Sequence, residues 1–102
     1  MRVTKVISGE SYELSVDGRI DGAAANDLEV EILAAVKAGA KEIYVNLAHS
    51  DFICSAGLRV LLQHFRQMKN QQKVLRVTRP SPNIDSVLEM SGFKSLIVDN
   101  IK

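Results

Sequence analysis

Short β-rich runs alternate along this chain with segments whose apolar residues recur at helical spacing. Two such runs, at residues 2–7 and 12–16, are separated by Ser8-Gly9-Glu10-Ser11, which is typical of a hairpin. Further β-rich runs at 43–47, 74–77 and 96–98 each follow a helical segment. This order predicts one α/β domain spanning residues 1–102, with a small mixed β-sheet and the helices mainly on one face.

The three helical segments carry their own boundary signals. Gly39 and Gly92 stand where the first and third helices should end, and glycine suits the left-handed residue of a helix C-terminus. The apolar period of the second helix starts straight after Gly57. Ser81 is expected to be the N-cap of the third helix, with Pro82 as its first residue.

Composition limits the classes of function. The chain is 46% hydrophobic and 25% charged, as in an ordinary globular domain. Thirteen basic and twelve acidic residues give a net charge of +1, which argues against direct nucleic-acid binding. The single cysteine fits a reducing compartment. With no apolar run near the roughly 20 residues of a membrane span and no secretory signal, we expect a cytoplasmic location.

The loop before the second helix is the strongest candidate site. Ser55 lies there, at the mouth of a helix whose unpaired backbone N–H groups and dipole favour an anion. Its hydroxyl could cap the helix, or it could carry a phosphate that the same N–H groups would stabilise. Position alone leaves both interpretations open.

Known nucleophile motifs do not fit this loop. A cysteine-phosphatase loop needs five residues between its cysteine and arginine, whereas four separate Cys54 from Arg59. A nucleophile elbow needs glycine two residues before its serine, where this chain has Ile53.

The remaining candidates for chemistry are few. His49 lies in the loop and could approach the serine, whereas His64 is expected to be a solvated residue beside the apolar face of the second helix. One cysteine and two histidines lack metal-ligand spacing, and no glycine-rich phosphate loop is present. We therefore expect no enzyme activity, no metal and no cofactor.

Several motifs in succession resemble the STAS domain family, the fold of bacterial anti-sigma factor antagonists. The central one is the run DFICSAGLRVLL at residues 51–62. The others, in chain order, are GRID at 18–21, VNL at 45–47, RPSP at 79–82 and VLEMSGF at 87–93. The resemblance covers nearly the whole chain.

The resemblance implies a function by partner switching. Ser55 matches the serine that a cognate anti-sigma factor serine kinase phosphorylates in this family. The unphosphorylated antagonist binds the anti-sigma factor and frees the sigma factor, phosphorylation releases it, and a PP2C-type phosphatase resets it. Asp21 matches an acidic position that the family places near the phosphorylated serine.

A partner-binding surface is expected around this serine. It comprises Asp21, Ile53, Cys54, Gly57, Leu58 and Arg59, with Arg59 at the rim. For Ile53 and Leu58, packing in the core is an equally good interpretation.

The chain also departs from the family pattern. Cys54 stands where many antagonists have Asp or Ser, Asn46 stands where the family often has Asp, and the usual C-terminal helix is expected to be short or absent. An alternative function is a non-switching STAS subunit of a transport or stress-signalling complex. A third, small-ligand binding or catalysis, rests only on Cys54 and His49.

Overall fold

The structure, a computed structural model, describes residues 1–93 and the backbone of residues 97–98. In this part of the chain, five strands form one sheet in the order β1-β2-β3-β4-β5. The strands are β1 (Arg2–Ser8), β2 (Ser11–Asp17), β3 (Glu42–His49), β4 (Val74–Thr78) and β5 (Ile97–Val98). The helices are α1 (Gly22–Lys37), α2 (Ser55–Asn70) and α3 (Pro82–Met90). The predicted element order and α/β class are confirmed.

The first two strands form the predicted hairpin. They pair antiparallel from Arg2 opposite Asp17 to Ser8 opposite Ser11. The two residues between them include Gly9, whose φ of 61° is in the left-handed region that glycine tolerates. The hairpin leaves β1 at one edge of the sheet.

The other strands run parallel and place the core on one side of the sheet. β2, β3, β4 and β5 are neighbours in chain order, so right-handed crossovers put the connecting helices on the same face. Consistent with this, α1 packs against α2. Alternate residues on the three central strands are buried: Leu14, Val16, Ile43, Val45, Leu47, Leu75 and Val77. The mixed sheet with helices on one face is thus as predicted.

All three helices end in the same backbone motif. Gly39 and Gly92 have φ values of 95° and 79°, which confirms the left-handed glycines predicted at the ends of α1 and α3. The hydrogen bonds around them form Schellman motifs. At the end of α2 the left-handed residue is Gln72, with φ 60°. There the Lys73 amide donates to the Met68 carbonyl at 2.8 Å. A glutamine at this position adopts a conformation that costs a side-chain-bearing residue free energy.

Two expectations about α2 are wrong. The helix begins at Ser55 rather than after Gly57, because Cys54 is extended (φ −85°, ψ 172°) and holds the N-cap position. His64 is only 3% exposed rather than solvated, and its Nε2 lies 2.9 Å from Glu29 Oε2. Glu29 belongs to α1, so the partner that permits burial of His64 is invisible in the periodicity of α2 alone.

The C-terminal expectations are only partly accessible. β5 is present at Ile97–Val98, whereas Leu96 and the position of the expected short or absent C-terminal helix lie outside the described residues. Among the described helices, none combines the length and the apolar character needed to cross a bilayer.

Candidate functional site

The loop between β3 and α2 is tied to the segment that follows β2. Ile20 forms a parallel bridge with Ile53. The Ile20 amide donates to the Phe52 carbonyl at 2.9 Å, and the Cys54 amide donates to the Ile20 carbonyl at 2.9 Å. These two hydrogen bonds flank Ile53, so the residues just before α2 are held in place and the start of the helix has a defined position.

Ser55 is the first residue of α2 and is exposed. The N-cap residue is Cys54, whose carbonyl accepts the hydrogen bond of the Leu58 amide at 3.0 Å and whose thiol makes no capping bond. The interpretation of Ser55 as the helix cap is therefore wrong. Within the described part of the chain, the Ser55 hydroxyl forms no hydrogen bond. It points to no internal partner and is free to react or to bind.

The backbone at this helix start is available to an anion. Leu58 is the first residue whose amide enters the helical hydrogen-bond pattern of α2. The amides of Ser55, Ala56 and Gly57 precede it, and such first-turn N–H groups have no intrahelical acceptor. Together with the helix dipole they stabilise negative charge. A phosphate on the Ser55 oxygen would carry its charge at this end of the helix.

Gly57 allows α2 to start close to the bridge. It is buried, and a Cβ at this position would lie 2.7 Å from Ile20 Cγ2 and 2.9 Å from Ile53 Cγ1. Both distances are shorter than side-chain contacts normally permit. The residue is thus required for the close approach of helix and loop. Gly57 and Ile53, which is 6% exposed, present almost no side-chain surface to a partner.

Asp21 stands beside the same loop. It directly follows Ile20 of the bridge and is the N-cap of α1, where its Oδ1 accepts a hydrogen bond from the Ala24 amide at 2.9 Å. The Asp21 side chain is exposed, as is that of Asp51 at the other end of the loop. Both carboxylates therefore belong to segments that border the Ser55 loop, and Asp21 also has a structural role that explains its residue type.

A groove on the surface of α2 begins at Ser55. It has a volume of about 470 Å³. Leu58 and Leu62 are half-buried in it, and Arg59 and Arg66 are exposed beside them. The lining is Ser55, Leu58, Arg59, Leu62, Gln63, Arg66 and Gln67. An apolar strip flanked by guanidinium groups is a surface suited to binding another protein.

The remaining groups of chemical interest make no hydrogen bond to the Ser55 hydroxyl within the described residues. His49 is exposed at the end of β3, and the structure gives its ring no hydrogen bond to the Ser55 hydroxyl. The Cys54 thiol is free and half-buried. Neither residue is joined to Ser55 in the way that nucleophile activation requires.

One ionisable group with a perturbed pKa, the Tyr44 phenol, lies on the face of the sheet opposite the helices. Burial raises the pKa of the Tyr44 phenol, and the negative charge of Glu42 raises it further, whereas the positive charge of Arg76 lowers it. Tyr44 lies on β3 between Glu13 of β2 and Arg76 of β4. The Tyr44 pKa therefore depends on its surroundings in the sheet and not on the Ser55 loop.

Comparison with known proteins agrees with this geometry. The family model of the STAS domain matches residues 2–102. The chain belongs to the STAS domain family.

Relatives and solved structures refine the comparison. The chain is 36% identical over 81 residues to the putative anti-sigma factor antagonist BtrV of Bordetella bronchiseptica. The aligned residues cover 79% of this chain and 70% of BtrV. It is similar to the anti-sigma factor antagonist SpoIIAA in its unphosphorylated form (TM-score 0.85, 21% identity, 99% of this chain and 90% of that one). It is also similar to Bacillus SpoIIAA in the phosphorylated form (TM-score 0.78, 21% identity, 99% and 93%). At this identity the likeness to SpoIIAA establishes the fold.

In this STAS domain the six residues predicted to bind a partner differ in how accessible their side chains are. Asp21, Cys54, Leu58 and Arg59 lie around the start of α2 with accessible side-chain surface, whereas Ile53 and Gly57 are packed beneath it. The sequence reasoning missed the continuation of this surface along α2. A signal was present, because α2 contains Arg and Lys residues and no Asp or Glu.

Proposed function

We propose that this STAS domain is an anti-sigma factor antagonist that acts by partner switching. In its unphosphorylated form it binds an anti-sigma factor serine kinase through the surface around Ser55. Phosphorylation of Ser55 by that kinase releases it, and a PP2C-type phosphatase restores the binding form. The observation that carries the proposal is the exposed Ser55 hydroxyl, which serves no capping role at the first residue of α2.

The electrostatics of the loop support a switch by phosphate. A phosphate adds about −1.5 to −2 charge, which exceeds the net charge of +1 of the whole chain. The free N–H groups of the first turn of α2 can accommodate this charge in the isolated domain. A partner pressed against the loop would have to desolvate it beside Asp21 and Asp51. Phosphorylation is therefore expected to leave the fold intact and to weaken the complex.

The relatives support the same role. BtrV is named a putative anti-sigma factor antagonist, and SpoIIAA has been solved in both unphosphorylated and phosphorylated forms with the fold of this chain. In the present domain the bridge between Ile20 and Ile53 and its two hydrogen bonds hold the loop. We infer that the switch changes the charge of a preformed surface rather than the shape of the domain.

The proposal is tested with two substitutions in the cells that encode this chain. Tagged wild type, Ser55→Ala and Ser55→Asp are purified with their partners. We expect wild type and Ser55→Ala to retain a protein that transfers phosphate from ATP to Ser55 of the wild-type chain. Ser55→Asp is expected to lose that protein. Equal retention of the kinase by Ser55→Asp would refute the switch.

Folding of the two variants is the necessary control. Because the Ser55 hydroxyl makes no hydrogen bond to the described residues, Ser55→Ala is expected to change the free energy of unfolding by less than about 0.5 kcal/mol. Loss of an N-cap serine would instead cost about 1 kcal/mol. Urea unfolding distinguishes the two values. If all three forms assemble equally with a transport or stress-signalling complex, the domain is a non-switching subunit instead.

A further inference from the structure

We propose that the groove on α2 binds an acidic segment of the partner, and that phosphorylated Ser55 releases this segment by pairing with Arg59. The inference rests on the proposed function, because it names the chemistry of the partner and the means of its release. It differs from simple repulsion by phosphate, because a cation of this chain takes part in both states. The supporting observations are the charge of α2, the lining of the groove and the spacing of its residues.

The charge of α2 selects the partner. The helix carries Arg59, Arg66 and Lys69 and no acidic residue, in a chain whose net charge is only +1. The neighbouring helix α1 has the opposite balance, with three acidic residues and one lysine. An acidic segment would therefore be attracted to α2 and repelled by α1, which fixes where it can lie.

The two groove arginines are available for this contact. Arg59 and Arg66 are exposed, and neither forms an ion pair with another residue of the described chain. Leu58 and Leu62 lie half-buried in the same groove. Such a lining fits a segment that places apolar side chains on the leucines and carboxylates on the two guanidinium groups, because guanidinium and carboxylate form paired hydrogen bonds.

Spacing along α2 allows only one of the two groove arginines to reach a phosphate on Ser55. Arg59 follows Ser55 by four residues, so the two lie on the same face about 6 Å apart along the helix axis. Arg66 follows by eleven residues, about 16 Å along the axis, and is beyond the reach of a side chain from Ser55. Phosphorylation would thus occupy Arg59 and leave Arg66 free.

This pairing explains how phosphorylation at one end of the groove releases a partner segment that is bound along its length. In the unphosphorylated form the groove offers two guanidinium groups to the partner's carboxylates. In the phosphorylated form the phosphate adds about −1.5 to −2 charge at one end and neutralises the nearest of those groups. The same step therefore adds an anion and withdraws a cation from the partner.

The first experiment examines the pairing without any partner. The full chain is prepared with phosphoserine at position 55, and the phosphate is titrated by ³¹P NMR in wild type, Arg59→Gln and Arg66→Gln. We expect Arg59→Gln to raise the second pKa of the phosphate by about 0.3 unit, the size of an exposed i,i+4 ion pair. Arg66→Gln is the matched control and should leave it unchanged. Identical titrations of all three proteins would overturn the pairing.

The second experiment examines the groove in the complex. Binding of the unphosphorylated variants to the kinase recovered above is measured without ATP, at low and at high salt. We expect Arg59→Gln and Arg66→Gln each to weaken binding about two- to fivefold at low salt and to reduce its salt dependence. Wild-type affinity of both variants, together with release of Ser55→Asp, would refute the groove and leave the switch standing. Retention of Ser55→Asp would instead refute the proposed function itself.

Discussion

Replacement of Gly57 by alanine tests whether the start of α2 is as tightly packed as the structure indicates. Alanine is normally the better helix residue, by up to about 1 kcal/mol in a helix interior. At Gly57, however, the added Cβ would lie 2.7 Å from Ile20 Cγ2 and 2.9 Å from Ile53 Cγ1. Packing and helix propensity therefore predict opposite signs for the same substitution.

The packing effect is expected to dominate. The Cγ2 methyl group of Ile20 is bonded directly to its Cβ, so it can move away only by a change of χ1 rotamer in a fully buried side chain or by a shift of the backbone. That backbone is held by hydrogen bonds to Phe52 and Cys54. Overpacking of a well-filled core costs about 1–3 kcal/mol. After the gain in helix propensity, we expect Gly57→Ala to lower the free energy of unfolding by about 1–2 kcal/mol.

Urea unfolding followed by circular dichroism measures this change. Gly22→Ala is the matched control, because Gly22 is the first residue of α1 and a Cβ there meets no atom within 4 Å. The control is expected to be neutral or slightly stabilising. Thermal unfolding should give the same order of stability, with the Tm shifting by about 4–8 °C for each kcal/mol in a domain of this size. If Gly57→Ala were as stable as Gly22→Ala, the close approach of helix and loop would be refuted.

Three further predictions test other parts of the fold. Glu29→Ala removes the hydrogen-bond partner of the buried His64 ring, so it should cost about 1–3 kcal/mol in urea unfolding, whereas Glu29→Gln keeps a partner and should cost less; equal losses would contradict the contact. Gln72→Gly relieves a left-handed residue and should stabilise the domain by about 0.5–1 kcal/mol; destabilisation would contradict that conformation. Tyr12→Phe leaves Tyr44 as the one tyrosine, so its absorbance titration should have a midpoint above 10.0, because burial raises this pKa. Since the folded pKa is raised, Tyr44 contributes stability that is complete below pH 10 and lost as the pH rises through that midpoint. If the free energy of unfolding of Tyr44→Phe fell above pH 10 just as that of the wild type does, this contribution would be contradicted.

Much of the fold could be predicted because its signals are local. The hairpin around Gly9 and the helix endings at Gly39 and Gly92 depend on residues that favour a positive φ within a few positions of the turn. The order of strands followed from alternating β-rich and helical segments, since short parallel crossovers favour neighbouring strands. These features require no knowledge of distant contacts.

The features that the sequence did not reveal depend on contacts between elements. His64 is buried because Glu29 of another helix supplies its hydrogen bond. Ile53 and Gly57 are packed because Ile20, more than thirty residues earlier in the chain, bridges to the loop. Periodicity within α2 contains no information about either partner. For the same reason the start of α2 was placed too late, since the apolar period of the helix starts only after Gly57 and does not show that Gly57 packs against Ile20.

The position of the site could be predicted from the sequence, but the extent of its surface could not. Ser55 was predicted to lie in the loop at the mouth of α2, where it could cap the helix or carry a phosphate; the structure makes it the first residue of α2 and gives the cap to Cys54. The partner-binding role of the residues around Ser55 stays a prediction. The groove that extends to Arg66 depends on which side of α2 remains uncovered, and that became visible only with α1 in place.

Peptide mapping of the protein from its own cells tests the central claim most directly. Tryptic cleavage after Lys41 and Arg59 yields residues 42–59, which contain both Ser50 and Ser55. Ser50 is 1% exposed and so serves as an internal control. We predict phosphate on Ser55 in a fraction that changes with growth condition, and none on Ser50. A peptide that remains unmodified at Ser55 under all conditions would contradict the account.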